Sequence, residues 1–429
     1  MRIVRSTLCG LAIVSATACT RKQPEPGTEP RPAPGVPVGD DSIEPTVTPI
    51  SGGDAKALAI SSNAFAFDVY ARLRAAPGNS AFSPASISAG LAMLMGGARG
   101  ETAVELRRTL HAEGDDASVF RAWGSLTAQL QDPSRKLTLR IANRLFGEHT
   151  ATFAPAFLEA TKAAFGASLE RTNFSAAPEQ ARLRINQWVA ARTKRRITNL
   201  LPPGSIGSGT RLALVNAIYF LAKWRIPFEP EATTLRAFSV SDTTAKLVAT
   251  MRQTARFRIA KADGMTMLEM PYAGGDAAML IVLPDAIDGL STIESRLDAE
   301  RFEGWRARLA GAPVDVELPK FTIDPAEPIA LGDVLSSLAM KRAFDPALAD
   351  FSGMAADRSF AVSELFHKAF IKVDEDGAEA AAATDMGEDG AAAPPPDQVV
   401  FRADHAFLYF VVDTTSGLIL FMGRVTDPS

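Results

Sequence analysis

Hydrophobic positions recur at helical spacing in the first half of the chain and gather into unbroken runs in the second. Leu58, Phe65, Val69 and Leu73 fall on one helical face, and Pro77-Gly78-Asn79 ends that helix. A second helix is predicted from Ser86 to Met95, entered through Ser83-Pro84. Further helices are expected over Glu101 to Leu110, Ser118 to Gln131, Pro155 to Phe165 and Pro178 to Arg195. After Leu201-Pro202-Pro203 the pattern changes. Leu212 to Phe220 and Met279 to Leu283 are nearly continuous apolar runs, followed by Val314 to Leu318, Ala361 to Val373, Phe407 to Val412 and Leu418 to Val425. Such runs, rich in β-branched and aromatic residues, predict buried strands. Helices first and strands later indicate an α+β fold with a large sheet. No proline- or glycine-rich linker divides Asp54 from Asp427, so one large domain over residues 54–429 is expected.

The first 53 residues are different. Arg2 and Arg5 precede an apolar run from Leu8 to Ala18, shorter than the roughly 20 residues of a membrane span. Residues 1–18 therefore form a signal peptide. Ala16-Thr17-Ala18-Cys19 suits ordinary signal peptidase and resembles the lipobox of bacterial lipoproteins, with lipidation on Cys19. The chain is expected to be exported, as an outer-membrane or cell-surface lipoprotein or otherwise as a secreted protein. Residues 19–53 form a tether. Eight prolines lie between Gln23 and Ile50, and about thirty extended residues at roughly 3.1 Å each reach some 90 Å.

Composition narrows the function. The chain is 47% hydrophobic with 24 phenylalanines, and its net charge of -4 supplies no field for nucleic acid. Both cysteines, Cys9 and Cys19, precede the ordered body, so it has no disulfide and no thiol nucleophile. The chain contains no G-x-S-x-G, H-E-x-x-H, Walker A or dinucleotide motif. His111, His149, His367 and His405 are dispersed without metal-ligand partners. Asp374, Asp376 and Gly377 resemble part of a calcium loop, but Lys372 and Ala383 stand where oxygen ligands are needed. The expectation is no enzyme, no metal and no cofactor. Ser83 and Ser86 read as helix-cap residues.

One stretch fits none of this. Residues Glu375 to Pro396 hold glycines, alanines, acids and three prolines between two apolar runs. As a strand, one face carries Ala378, Ala380, Ala382, Thr384 and Met386, and the other carries Glu379, Ala381, Ala383, Asp385 and Gly387. Every charge up to Gly387 is on one face, so the opposite face can slide over a packed core. Composition alone favours a surface loop or a short helix, since alanine is the best helix former.

The flanking residues resemble the serpins. His367-Lys368-Ala369-Phe370, Glu375, Gly377 and Glu379 to Thr384 are similar to the serpin hinge, and Phe421-Met422-Gly423-Arg424-Val425 to the closing strand. Phe82 to Ile87, Leu91-Ala92-Met93 and Gly97-Ala98 resemble the opening motif. Val215 to Phe220 with Trp224 and Pro227-Phe228 resemble the central one. Leu318-Pro319-Lys320-Phe321 and Ala349 to Met354 add two more.

The resemblance implies a fold of about eight or nine helices and three β-sheets, with an exposed reactive-centre loop at about 375–396. It implies a monomeric suicide-substrate inhibitor of serine proteases, which traps the acyl-enzyme when the cut loop enters the main sheet. The alternative is a non-inhibitory serpin acting as a carrier. The reactive bond falls at Ala391–Ala392, and the hinge comprises Glu375, Gly377, Ala378, Ala380, Ala381, Ala382 and Ala383. Trp224 and Lys320 would form the breach at the top of the sheet; Ser83, Ser86, Asn216 and His367 would form the shutter. Alanine before the scissile bond suits elastase-like or subtilisin-like enzymes. The chain departs from the family pattern at Ala378, where threonine is usual, at Leu221-Ala222 and at Ala406. Glu388 has the parity of the buried face and is expected to limit the depth of insertion.

Overall fold

The protein is described by a computed structural model covering residues 47–166, 168–356, 360–378 and 398–429. The signal peptide, most of the tether, Cys19, Ala380 to Ala383, Ala391 and Ala392 lie outside the described residues. Nine α-helices occur among the described residues: α1 (Gly52–Leu73), α2 (Pro84–Met95), α3 (Gly100–Thr109), α4 (Asp116–Leu130), α5 (Pro155–Phe165), α6 (Pro178–Arg192), α7 (Leu290–Arg296), α8 (Ala299–Ala307) and α9 (Leu331–Ser337). The strands are β1 (Ser80–Phe82), β2 (Thr138–Glu148), β3 (Glu170–Thr172), β4 (Leu212–Lys223), β5 (Thr234–Ser241), β6 (Thr244–Ala262), β7 (Met265–Pro271), β8 (Ala277–Pro284), β9 (Ala310–Pro319), β10 (Phe321–Ile323), β11 (Ile329–Ala330), β12 (Glu364–Ala369), β13 (Ile371–Val373), β14 (Gly377–Ala378), β15 (Val399–Arg402), β16 (Phe407–Asp413) and β17 (Ile419–Val425).

Local chemistry sets the helix ends. Ser51 and Asp115 cap α1 and α4 by accepting backbone N–H groups of Asp54 and Ser118. Ser83 caps α2, whose first position is Pro84. Helix α6 stops at Arg192, three residues before the predicted end. The Thr193 hydroxyl donates to the Val189 carbonyl, and Lys194 and Arg195 adopt left-handed φ of 47° and 63°.

Two hydrogen-bonded strand networks enclose α2, all of whose residues are buried. The nine-stranded network runs β1-β17-β16-β8-β7-β6-β9-β15, with β5 on β6. The long β6 serves two sheets in succession, pairing with β5 from Thr244 to Thr250 and with β7 from Arg258 to Ala262. Divided there, the described residues form three sheets. The eight-stranded sheet has the order β10-β13-β14-β4-β12-β11, with β2 on the far edge of β4 and β3 beyond it.

Strand β4 is buried on both faces. Leu212, Leu214, Ile218, Phe220 and Ala222 join the main core with α2, whereas Ala213, Val215 and Ala217 join a second cluster containing Ile185, Trp188 and Val189 of α6. Over its lower half the outer face of this sheet is covered by α6.

The closing strand β17 is held by a buried ion pair. The Arg424 guanidinium donates to Glu294 at 3.0 Å, to the Gly78 carbonyl at 2.9 Å and to the carbonyls of Arg74 and Ala76. The Tyr70 hydroxyl donates to the same Glu294 carboxylate. Removing the cation strands a buried carboxylate, a change that costs about 3–5 kcal/mol. Arg424→Ala is therefore expected to lose about that much stability in urea unfolding, and Arg424→Lys less. An alanine variant within about 0.5 kcal/mol of wild type contradicts this account of β17.

Candidate functional site

The lower and upper halves of one β4 edge have different partners. From Ala213 to Ile218 it pairs in parallel with β12, Glu364 to Ala369. Above, Lys223 and Ala222 pair with Gly377 and Ala378 of β14, and Ala378 pairs in turn with Val373 of β13. The seam between β4 and the β12–β13 strand is thus closed below and occupied above by two residues. The apolar run from Ala361 to Val373 is split at Phe370, where the two regimes meet.

A tight turn delivers β14. Asp374 and Gly377 exchange backbone hydrogen bonds, and Gly377 has φ of 148°. A Cβ there would lie 2.1 Å from the Ala222 carbonyl oxygen, so only glycine fits. Ala378 is 1% exposed and faces the core.

Above this turn, Lys320 and Glu375 pair at 2.7 Å, and the Thr233 hydroxyl donates to the same carboxylate at 2.8 Å. Burial pushes the Glu375 carboxyl up, but the hydrogen bonds from Lys320 and Thr233 outweigh it and hold it below its ordinary value. The backbone is fixed as well: Phe228 N–H donates to the Glu375 carbonyl and Trp224 N–H to that of Asp376. The Trp224 indole N–H donates to the Asp374 carbonyl at 3.0 Å, while its ring stacks on Tyr272 at 4.6 Å. Trp224, Lys320 and Glu375 therefore meet around one turn. Thr233 and Asp374 also belong here; the family resemblance named neither, and the calcium-like pattern around Asp374 pointed to a different role.

At the closed end, Ser83, Ser86, Asn216 and His367 converge with Asn143 of β2. Ser83 N–H donates to His367 Nε2 at 3.0 Å, so the opposite nitrogen, Nδ1, carries the proton that Asn216 Oδ1 accepts. Asn216 Nδ2 donates to the Ser86 carbonyl and to Asn143 Oδ1, which also accepts from the Ser86 hydroxyl. Ser83 remains a helix cap, accepting Ser86 N–H at 3.1 Å. The network bridges β12, β4 and β2 to the start of α2, tying both sides of the seam to the core. Asn143 was not legible, standing between Ala142 and Arg144 in a segment without a long apolar run.

His367 is fully buried. Desolvation lowers its pKa to about 3, against the bond to Asn216, which raises it. The imidazole is neutral in the folded protein and titrates normally, near 6.5, when unfolded. The unfolded state binds more protons below that value, so His367 costs stability as pH falls from about 6.5 toward 3, by about 1.4 kcal/mol per unit. The Asp68 hydrogen bond raises the pKa of His111. Burial lowers that of His405, but Asp404 outweighs it and the net shift is upward. Both therefore act in the opposite sense. Urea unfolding of wild type and His367→Gln at pH 7 and pH 5 isolates the term: wild type is expected to lose about 2 kcal/mol more than the variant. Equal losses contradict the buried neutral imidazole.

Among the described residues no group of His, Cys, Asp or Glu side chains could hold a metal ion, and no helix is long and apolar enough to cross a membrane. What the arrangement offers is mechanical: a pinned turn, a two-residue strand already seated, and a closed seam below it.

Comparison with known proteins gives a consistent result. Residues 60–428 match the family described as Serpin (serine protease inhibitor). The chain is 38% identical over 381 residues to leukocyte elastase inhibitor A of Rattus norvegicus, covering 86% of this chain and 99% of that one. It is 35% identical to Serpin B3 of Homo sapiens, with the same coverage. Its fold resembles uncleaved ovalbumin, with a TM-score of 0.77 and 29% identity over 86% of this chain and 100% of that one. It also resembles Serpin48 of Tenebrio molitor, with a TM-score of 0.76 and 32% identity over 87% and 98%. With its match spanning nearly the whole ordered body and β14 seated between β4 and β13, the chain belongs to the serpin family.

Proposed function

We propose that this inhibitor is carried outside the cell and traps a serine protease that cuts after small residues. The observation that carries the reading is Ala378, buried between β4 and β13 as the second residue of β14, a strand whose continuation is the reactive loop. Adding a strand to a sheet edge satisfies its backbone groups in one step.

The register of entry follows from the two seated residues. Extending Gly377 against Lys223 and Ala378 against Ala222 sets Ala380, Ala382, Thr384 and Met386 opposite Phe220, Ile218, Asn216 and Leu214. All four then face the main core, and Ala381 and Ala383 line the other side. Thr384 comes level with Asn216 and His367, so entry to that depth must separate them. Asp385 comes beside Val215, beneath α6, where burying a carboxylate is costly unless the helix yields. Glu388 comes opposite Leu212, the first residue of β4. The ladder ends there, so Glu388 marks the end of insertion rather than an obstacle within it.

The small hinge opposes the carrier reading, because nothing bulky or charged blocks the first step. The bait between Glu375 and Gln398 contains no Lys or Arg, and Ala391–Ala392 is the proposed scissile bond. An elastase-like or subtilisin-like enzyme fits such a bait, in line with the name of the leukocyte elastase inhibitors that this chain resembles. The protein acts as a monomer, held through a lipid on Cys19 and spaced from the membrane by the tether.

Incubation with pancreatic elastase or subtilisin is expected to give a covalent complex that survives denaturation. Ala378→Arg places a charge in that buried position and should lower the yield of complex at least about tenfold while leaving loop cleavage intact. Cleavage of the wild type without complex, across both enzymes, overturns the inhibitory reading of this target class. Cys19→Ser, expressed in a Gram-negative host, is expected to move the protein from the membrane fraction to the soluble one. An unchanged distribution overturns the anchor.

A further inference from the structure

We propose that Lys194 and Arg196 clasp the fork of the seam and set how fast the sheet opens, so that they decide whether a bound protease is trapped or released. The inference rests on the loop-insertion reading above. It concerns residues that lie far from the hinge and the reactive bond in the sequence.

The fork is narrowly defined. Ala369 and Ile218 are the last directly paired residues of β12 and β4. Ala378 already separates Val373 from Ala222 above. Phe370 and Tyr219, the next residue on each strand, stand on either side of the point where the sheet parts. Phe370 belongs to the cluster under α6, and Tyr219 shares the parity of Ala217 and Val215 on that same outer face.

The turn after α6 reaches over both rings. Lys194 Nζ lies 5.5 Å from the Tyr219 centroid, and Arg196 Cζ lies 5.6 Å from that of Phe370. The backbone adopts an unfavourable form to place them, with consecutive left-handed residues at Lys194 and Arg195. It is pinned by the Arg195 N–H bond to the Ala190 carbonyl at 2.7 Å and by Ile197 N–H to the Thr193 hydroxyl. Lys194, Arg195 and Arg196 are themselves exposed, held between the fully buried Thr193 and Ile197.

An entering strand moves Tyr219 and Phe370 from one strand spacing to two, a separation greater by about 4.8 Å. Both contacts already lie close to the roughly 6 Å limit of cation–π attraction. Unless the turn lifts, at least one contact breaks. The clasp therefore adds to the barrier for opening and not to the chemistry of cleavage. A tighter clasp favours hydrolysis of the acyl-enzyme, and a looser one lets the sheet accept a strand without a protease.

The test uses the intact protein and a synthetic peptide with the sequence of Gly377 to Gly390, which competes for the seam. Annealing is followed by native gel and by thermal unfolding. The Lys194→Ala/Arg196→Ala pair is expected to anneal about 5- to 30-fold faster than wild type, the equivalent of two exposed cation–π contacts. The charge-conserving Lys194→Arg/Arg196→Lys pair should stay within about twofold. Lys194→Met keeps an apolar stem without the charge; it should give a smaller acceleration and guards against misfolding of the double variant. Equal rates for wild type and the alanine pair, or equal acceleration in both pairs, overturn the clasp alone. Failure of the peptide to anneal to any variant, together with no gain in heat stability on loop cleavage, overturns loop insertion and the clasp with it.

Discussion

One edge of β4 can hold only one partner strand at each level, and the rest of the molecule is arranged around that constraint. Below Tyr219 the partner is β12, and above Leu221 it is the start of the loop. Extending the upper pairing requires breaking the lower one, residue by residue. Loop entry and seam opening are therefore a single event, and whatever holds the seam together governs the fate of the protease. A static ladder of backbone hydrogen bonds becomes an energy store because a competing strand with a compatible face is tethered at its end.

Three sets of contacts act on this event at different heights. Around Glu375, the pairing to Lys320 and the carbonyl bonds to Trp224 and Phe228 fix where the loop begins. At the fork, the cations after α6 lie over rings on both strands. At the closed end, Asn216 and His367 join the two strands side chain to side chain, and Ser83, Ser86 and Asn143 anchor them to α2 and β2. The polar network is worth more buried than it would be at a surface, because each donor freed by opening must find a new acceptor in a dry interior. In the proposed register Thr384 comes level with that network and brings a hydroxyl to it.

Much of this was legible in the sequence, for specific reasons. The unbroken apolar run of β4 identified a doubly buried strand, and the alternation of charges after Gly377 identified a latent one. The residues around Glu375 and His367 were reachable only through resemblance, since a lone lysine, tryptophan or histidine carries no spacing that reveals its partner. Other features left no one-dimensional trace. Asn143 sits between Ala142 and Arg144 in a strand of mixed polar and apolar residues, and β6 likewise mixes polar and apolar residues over 19 positions without a run. The break at Phe370 interrupts a segment that reads as continuous. Parity told which side of the inserted strand bears Asp385 but not that α6 lies over that side, because cover is a property of tertiary packing. The clasp was hidden for the same reason: Lys194 and Arg196 look like any solvated basic turn until the rings beneath them are placed.

The central claim is that the β4 edge exchanges β12 for the loop once the loop is cut. The most direct measurement is the thermal unfolding midpoint of the intact protein and of the same protein nicked once within the bait. The account predicts a marked rise on nicking, because the freed strand completes the sheet. An unchanged or lower midpoint, with the nick confirmed by mass, would contradict it.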